Sequence, residues 1–558
     1  MSSASQSRRH ILVAVAWPYA NGPLHLGHVA GAYLPADIFA RYHRMAGNRV
    51  LMVSGSDQHG TPVTVRAEHE GVPPQEIVDR FHPQFLQLWH ELGISFDIFT
   101  TTGTPNHAEV VHDVFLRLLE HGYIYKGKTH QFFDAQAGRF LPDRYVEGTC
   151  PHCGYEQARG DQCDNCGRTL DPDQLIRPRS RLTGAAPEMR ETEHFFFKLS
   201  AFQQPLLDWL CGRTGWRKHV LNFSIGFVEE GLHDRAITRD IEWGVPVPVE
   251  DLGAGKRMYV WIEALIGYLS ASKEWAQGSG EPDAWRAWWE DAAAATYYFI
   301  GKDNIPFHTI IWPAILMGYG GLNLPTDVPA NQYVTFKGER ASKSHGVGEP
   351  ALGYLERYQP DAVRYALAAN LPENSDTDIT EAEIIRRNND ELVATWGNLV
   401  NRVLAMTHRT FAGRVPPPGA LDHRDEALIA GARTMLHQVG EQIEAVHLKA
   451  ALATAMAFAQ EANGYLSDTE PWKAAKSDPA RAGTSLYVAL CAINALDVAL
   501  YPFLPFSSQK VHEYLGLSGG IEDAGWEARL PQPGATLGAA EPLFRKFETP
   551  EGEARLSA

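Results

Sequence analysis

The stretch from Ile11 to Tyr33 constrains the fold more than any other part of the chain. Ile11-Leu12-Val13-Ala14-Val15-Ala16 is a short, unbroken apolar run of the kind a buried strand requires. Pro18, Asn21, Gly22 and Pro23 then punctuate the chain, and Val29, Tyr33, Ala36 and Ala40 recur at helical spacing. Between the two lies His25-Leu26-Gly27-His28, which puts two imidazoles at a strand-to-helix turn. At a helix N-terminus the backbone N–H groups and the dipole favour an anion such as phosphate. Gly27 allows close approach to the backbone, and two imidazoles there can donate hydrogen bonds to oxygens that gain charge in a transition state. A surface pair or a metal pair has the same spacing, so the histidines need support from elsewhere in the chain.

That support comes from repetition of the same unit. Val50-Leu51-Met52-Val53 reads as a second buried strand and ends in Ser54-Gly55-Ser56-Asp57-Gln58-His59. In open parallel sheets ligands bind just past the carboxyl ends of the strands. Asp57 and His59 therefore face the crevice of His25 and His28, and a carboxylate there can hold an ammonium group; the competing reading is a capped turn. Tyr297-Tyr298-Phe299-Ile300 ends in Gly301-Lys302-Asp303-Asn304, offering a cation for phosphate and a carboxylate for a ribose hydroxyl. Gln332 to Phe336 reads as a further strand, followed by a basic, serine-rich loop from Lys337 to Gly346 that holds Arg340, Ser342, Lys343 and Ser344. Residues 74 to 123 look helical, their apolar stripes serving as core. Trp261, Leu265 and Tyr268 share one helical face, again a pattern that suits core.

At Tyr123 the texture changes to short aromatic, Gly-rich runs that lead to Cys150-Pro151-His152-Cys153 and Cys163-Asp164-Asn165-Cys166. Two such pairs aim four thiolates at one point, a closed tetrahedral zinc site with a structural role. Disulfides are the competing reading, and an acidic chain with no secretory signal disfavours them. Cys211 and Cys491 stand alone and are expected to be buried core thiols. Beyond His345 the chain is helical, and residues 427 to 505 are alanine-rich at helical period, as a bundle requires. Trp472, at a helix start beside polar groups, suits either a packing role or stacking on an RNA base.

The 558 residues suggest three or four domains, and the net charge of −17 argues against non-specific binding to nucleic acid or anionic membrane. Ser2 to Arg9 reads as a polar tail, no secretory signal follows it, and no apolar stretch is expected to reach the roughly 20 residues that span a bilayer. Six cysteines, four of them clustered, suit a reducing compartment, and the cytoplasm is the expected location.

The histidine turn and the loop after Phe336 together resemble the HIGH and KMSKS signatures of class I aminoacyl-tRNA synthetases. Arg340 stands at the first lysine and Ala341 at the methionine of the second signature; Lys343 is present. With the four-cysteine module and the helical C-terminal third in that order, the chain resembles the methionyl-tRNA synthetases over nearly its full length. The resemblance implies a Rossmann-type α/β catalytic domain split by a zinc-binding connective insertion, followed by an all-α anticodon-binding bundle. The boundaries it suggests are 1–122 and 233–330 for the catalytic halves, 123–232 for the insertion, 331–387 for the KMSKS-like loop and stem-contact region, and 388–558 for the bundle. It implies catalysis by His25, His28, Lys343 and Arg340, and nucleotide contacts from Gly27, Lys302, Asp303, Ser342 and Ser344. Methionine would lie among Tyr19, Asp57, Trp261, Leu265, Tyr268 and His308, where Leu265 and Glu263 replace the family's usual proline and aspartate. Asn398, Arg402 and Trp472 match the anticodon readers, and Cys150, Cys153, Cys163 and Cys166 the zinc ligands. ATP with Mg2+, L-methionine and tRNA(Met) are the implied partners of a monomer. A synthetase for another amino acid, a nucleotidylyltransferase and a non-catalytic zinc RNA-binding protein are the alternatives.

Overall fold

The computed structural model describes residues 8–142, 145–160, 163–168, 170, 172–250, 255–336, 339–340 and 349–548. Ser342, Lys343 and Ser344 lie outside the described residues, and Arg340 is described only through its backbone. The centre is a five-stranded sheet in the spatial order Ala330–Asn331, Ala295–Gly301, His10–Val15, Arg49–Ser56, Ile98–Thr101. Every pairing in it is parallel. His10–Val15 is the middle strand, and its side chains alternate between two cores. Ile11, Val13 and Val15 pack on the side of Phe39 and Trp396. Leu12 and Ala14 pack with Leu51, Val53, Phe115 and Tyr298 on the other side. Burial on both faces is why these strands read as unbroken apolar runs rather than alternating ones.

The stretch 74–123 is corrected. Helices Pro74–Leu92 and Pro105–Glu120 are present, but Ile98–Thr101 between them is the edge strand of the sheet. Four residues are too few for a period to show.

Between the two halves of the parallel sheet the chain makes an excursion. Ile124–Asp134 and Glu188–Phe197 pair antiparallel over ten registers. A small sheet of Val146–Thr149, Ala158–Arg159 and Ile176–Ser180 sits beyond them, over its own core of Phe132, Leu141, Tyr145, Cys150 and Cys163. The C-terminal third is helical, built on Asn398–Phe411, His423–Glu444, Leu448–Thr469 and Pro479–Leu500. It packs directly on the catalytic half. Arg364 is fully buried and donates to Asp37 Oδ2 at 2.7 Å and to the carbonyls of Leu92, Pro502 and Phe503.

Two further expectations are corrected. Pro479–Leu500 is long and apolar enough to cross a membrane, but its apolar stretch is wholly buried as the core helix of the bundle. Cys491 is buried as expected, whereas Cys211 is exposed. It ends the helix Gln203–Cys211 one residue past the buried Leu210, and one helical step of about 100° takes it off the core face.

Candidate active site

The histidine turn is built from its own backbone. His25 caps the helical run that begins at Leu26, its Nδ1 accepting from the Gly27 N–H at 3.1 Å. His28 Nδ1 accepts in return from the His25 N–H at 3.2 Å. With both Nδ1 atoms acting as acceptors, each neutral ring carries its proton on Nε2. The rings lie 3.8 Å apart. A Cβ on Gly27 would come within 2.9 Å of His25 Nδ1, so this glycine makes room first for the capping imidazole. Val29–Tyr33 follows as a π-helical turn, and Phe307–Ile311 is another; such turns concentrate at functional sites.

Asp57 stands at the carboxyl end of the neighbouring strand. Its backbone brackets the loop of Tyr19, donating to the Pro18 carbonyl at 2.9 Å and accepting from Ala20 at 3.0 Å. Its Oδ1 accepts from the backbone N–H groups of His59 (3.0 Å) and Gly60 (3.2 Å). Burial, and next the nearby Glu263, push the Asp57 carboxyl up to about 8. Tyr19 packs over Gly60, where a Cβ would collide with its ring, and meets Trp261 edge-on at 6.1 Å. Trp261 stacks on Phe307 at 4.2 Å. His308 Nδ1 lies 2.9 Å from the Asn304 carbonyl and must donate to it, so Nε2 accepts from the Tyr268 hydroxyl at 2.7 Å. Burial pulls His308 down to about 4, which keeps the ring neutral at neutral pH.

These groups line one cavity of about 450 Å3. Tyr19, His25, Gly27, His28, Asp57, Trp261, Leu265, Tyr268, Asp303 and His308 all border it. Lys302 does not: its ammonium lies 2.8 Å from Asp376 Oδ1 and over the Tyr333 ring. Sequence reasoning left Asn304 and Phe307 without a role at the cavity. Phe307 and Asn304 flank residues that were singled out, so adjacency was the available signal. It also missed Arg159, Asp164 and Gly167, which reach the cavity wall from the cysteine module; nothing local in the sequence marks that contact.

In that module the sulfurs of Cys150, Cys153, Cys163 and Cys166 all lie within 4.8 Å of one another. Cys150–Cys166 and Cys153–Cys163 are 3.9 and 3.6 Å apart. A tetrahedron with metal–sulfur bonds of about 2.3 Å has edges of about 3.8 Å, so the four thiols fit zinc and leave it no open position.

The comparisons with known proteins agree with this layout. The family model described as tRNA synthetases class I (M) matches residues 11–404, and the anticodon binding domain of methionyl tRNA ligase matches 415–555. The chain belongs to the methionyl-tRNA synthetase family. A methionine–tRNA ligase of Roseiflexus sp. (strain RS-1) is 54% identical over 97% of each chain. Another, of Dehalococcoides mccartyi (strain CBDB1), is 55% identical over 96% of this chain and 97% of its own. Mycobacterium tuberculosis methionyl-tRNA synthetase bound by methionyl-adenylate superposes with a TM-score of 0.80 at 28% identity, over 97% of this chain and 100% of that one.

In this member of the family the residues expected at the anticodon lie within the helical third. Asn398 and Arg402 are one turn apart on Asn398–Phe411, which continues the π-helical turn Asn388–Gly397. The Arg402 guanidinium sits over the Trp472 ring, 5.2 Å from its centroid. Trp472 follows Pro471 at the start of Pro471–Ser477.

Proposed function

We propose that the chain carries out the methionine–tRNA ligase reaction of its family with the residues of this cavity. One observation carries the assignment: His25 and His28, Asp57, and the Trp261–Tyr268–His308 wall all border the same 450 Å3 space. Asp57 takes the α-ammonium group, and Trp261, Leu265, Tyr268 and His308 surround the thioether, where aromatic contacts suit sulfur. A methionine carboxylate oxygen attacks the α-phosphorus of ATP in line, and the bond to pyrophosphate breaks. The Nε2–H groups of His25 and His28 donate to the phosphoryl oxygens as charge builds there. Lys343 and Arg340, with Ser342 and Ser344, close over the leaving group, and Gly27 and Asp303 bind the nucleotide, Lys302 being held outside the cavity by Asp376. Positioning and electrostatics supply most of the rate in such transfers. The ribose hydroxyl at the tRNA 3′ end then attacks the carbonyl carbon of the adenylate, and AMP leaves.

Cys150, Cys153, Cys163 and Cys166 hold one zinc ion whose role is to fix the fold of the insertion. Mg2+ accompanies ATP and offsets its charge. Asn398, Arg402 and Trp472 read the anticodon of tRNA(Met). The domain boundaries are those of the sequence reading, the enzyme acts as a monomer, and it works in the cytoplasm, which the unpaired state of all six cysteines supports.

Amino-acid-dependent ATP–pyrophosphate exchange over all twenty amino acids, without tRNA, tests the reading. Exchange with methionine alone is expected. Exchange with a different amino acid would overturn the pocket assignment.

A further inference from the structure

Glu263 has no part in the reaction just described, yet its side chain is fully buried beside it. It lies on the helix Val260–Gly278, which also carries Trp261, Leu265 and Tyr268. Its Oε1 is 2.6 Å from His59 Nδ1, and its Oε2 accepts from the Val245 N–H at 3.4 Å. Trp243 closes over the pair, meeting the His59 ring edge-on at 5.6 Å and donating from Nε1 to the Gln58 carbonyl at 2.7 Å. The His59 ring nitrogen is thus engaged by Glu263, and the hydrogen bond His59 gives Asp57 is from its backbone N–H, at 3.0 Å. Among the described residues, no side-chain cation pairs with Asp57.

The charge count follows. Two buried carboxylates, Asp57 and Glu263, share a single imidazole. Buried charges are stable only when each is paired. Glu263 takes the larger share of the imidazolium: burial alone would depress its ionisation, but Glu263 and, to a smaller extent, Asp57 more than restore it. Asp57 has no cation paired directly with it, so burial and next Glu263 hold its carboxyl up, and an incoming ammonium group supplies the charge that lets it ionise. Without Glu263, His59 would be free to neutralise Asp57 itself.

We propose that Glu263 is a specificity-determining residue: by engaging His59 it keeps that side chain from pairing directly with Asp57, and so reserves Asp57 for the ammonium group of the amino acid. This rests on the assignment of Asp57 to that group. The measurement is the ratio between the KM of methionine in the exchange reaction and the inhibition constant of its deaminated analogue, in which hydrogen replaces the amino group. In Glu263→Gln the preference for methionine is expected to fall about tenfold or more, the equivalent of one pKa unit of lost pairing, with the KM for ATP unchanged. Glu263→Asp, which keeps the charge, is expected to stay within about threefold of the parent. The double variant Glu263→Gln/His59→Asn removes both charges, leaves Asp57 again without a cation, and should restore the preference to within about threefold. An equal loss of affinity for both ligands in Glu263→Gln, or no recovery in the double variant, would make Glu263 a packing residue and overturn the proposal. If Glu263→Gln alone does not fold, the double variant carries the test, and loss of the preference there overturns it. Asp57→Asn separates the two levels: if it leaves the preference intact, the ammonium assignment itself fails.

Discussion

The Tyr268 hydroxyl and the His308 imidazole form a buried hydrogen bond of 2.7 Å whose direction is fixed by the Asn304 carbonyl on the other side of the ring. Tyr268 is thus the donor, and Tyr268→Phe removes the donor while keeping the ring. It leaves an imidazole acceptor unpaired in a buried site, a cost of about 1–3 kcal/mol. Because the pair lines the cavity, the expected effect is a methionine KM raised about tenfold with the KM for ATP unchanged. Exchange kinetics measure both, and an unchanged methionine KM would reduce the pair to a core contact.

His28 allows its two nitrogens to be separated. Its Nδ1 accepts the His25 N–H, and the proposed catalytic donor is Nε2. Asparagine can place an acceptor near the Nδ1 position but has nothing at Nε2. His28→Asn is therefore expected to fold and bind methionine normally while exchange slows about 100- to 1,000-fold, the usual effect of removing one transition-state donor. A loss confined to the methionine KM would count against the phosphoryl role.

What the sequence made legible follows from what each feature depends on. The crevice could be read because buried strands are apolar on both faces and polar groups just past their ends stand out, as at Asp57 and Asp303. The sulfur cluster could be read because two close pairs set its geometry locally. Lys302 was assigned from its place at a strand end, but its pairing with Asp376, 74 residues away, is a tertiary fact. Gly27 reads as leaving room for a ligand, whereas the atom its missing Cβ leaves room for is His25 Nδ1. The Arg159–Asp164 ion pair on the cavity wall depends on how the insertion folds back, and no periodicity reports that.

That contact gives the zinc site a consequence for activity. Cys163 and Gly167 border the catalytic cavity, while Cys150 and Cys163 belong to the insertion's small core. Stripping the metal should loosen the core of the insertion and one wall of the cavity and leave the helical third folded. One zinc per chain by elemental analysis is expected. Removal with a strong chelator should lower exchange about tenfold or more while most of the far-ultraviolet helical signal persists. Full exchange activity in metal-free protein would separate the knuckle from the reaction.

Asp37 ties the catalytic half to the bundle and sets a pH limit on stability. Its Oδ2 takes Arg41 at 2.9 Å and Arg364 at 2.7 Å, and its Oδ1 takes Ser95. Burial alone would raise its pKa, but Arg41 and Arg364 outweigh that and hold it at about 2. A depressed carboxylate contributes stability above its unfolded value of about 3.9 and loses it as the pH falls towards 2. Asp37→Asn leaves the buried Arg364 unpaired, at a cost of about 3–5 kcal/mol. Denaturant unfolding should show that difference in full at pH 7 and show it shrinking between about pH 4 and pH 2.

Trp472 separates the two halves of the reaction. Its ring carries the Arg402 guanidinium on one face and is not among the groups that border the catalytic cavity. If it stacks on an anticodon base, Trp472→Ala removes about 1–3 kcal/mol of tRNA binding. Aminoacylation should then lose about 10- to 100-fold in kcat/KM for tRNA, while methionine-dependent exchange, which needs no tRNA, keeps the parent rate. Trp472→Phe keeps a stacking face and should recover most of the loss. A packing role predicts a different pattern: Trp472 rests partly against the apolar core that the bundle shares with the catalytic half, so truncation would lower thermal stability and both activities together. Measuring exchange, charging and thermal unfolding on the two variants decides between stacking and packing.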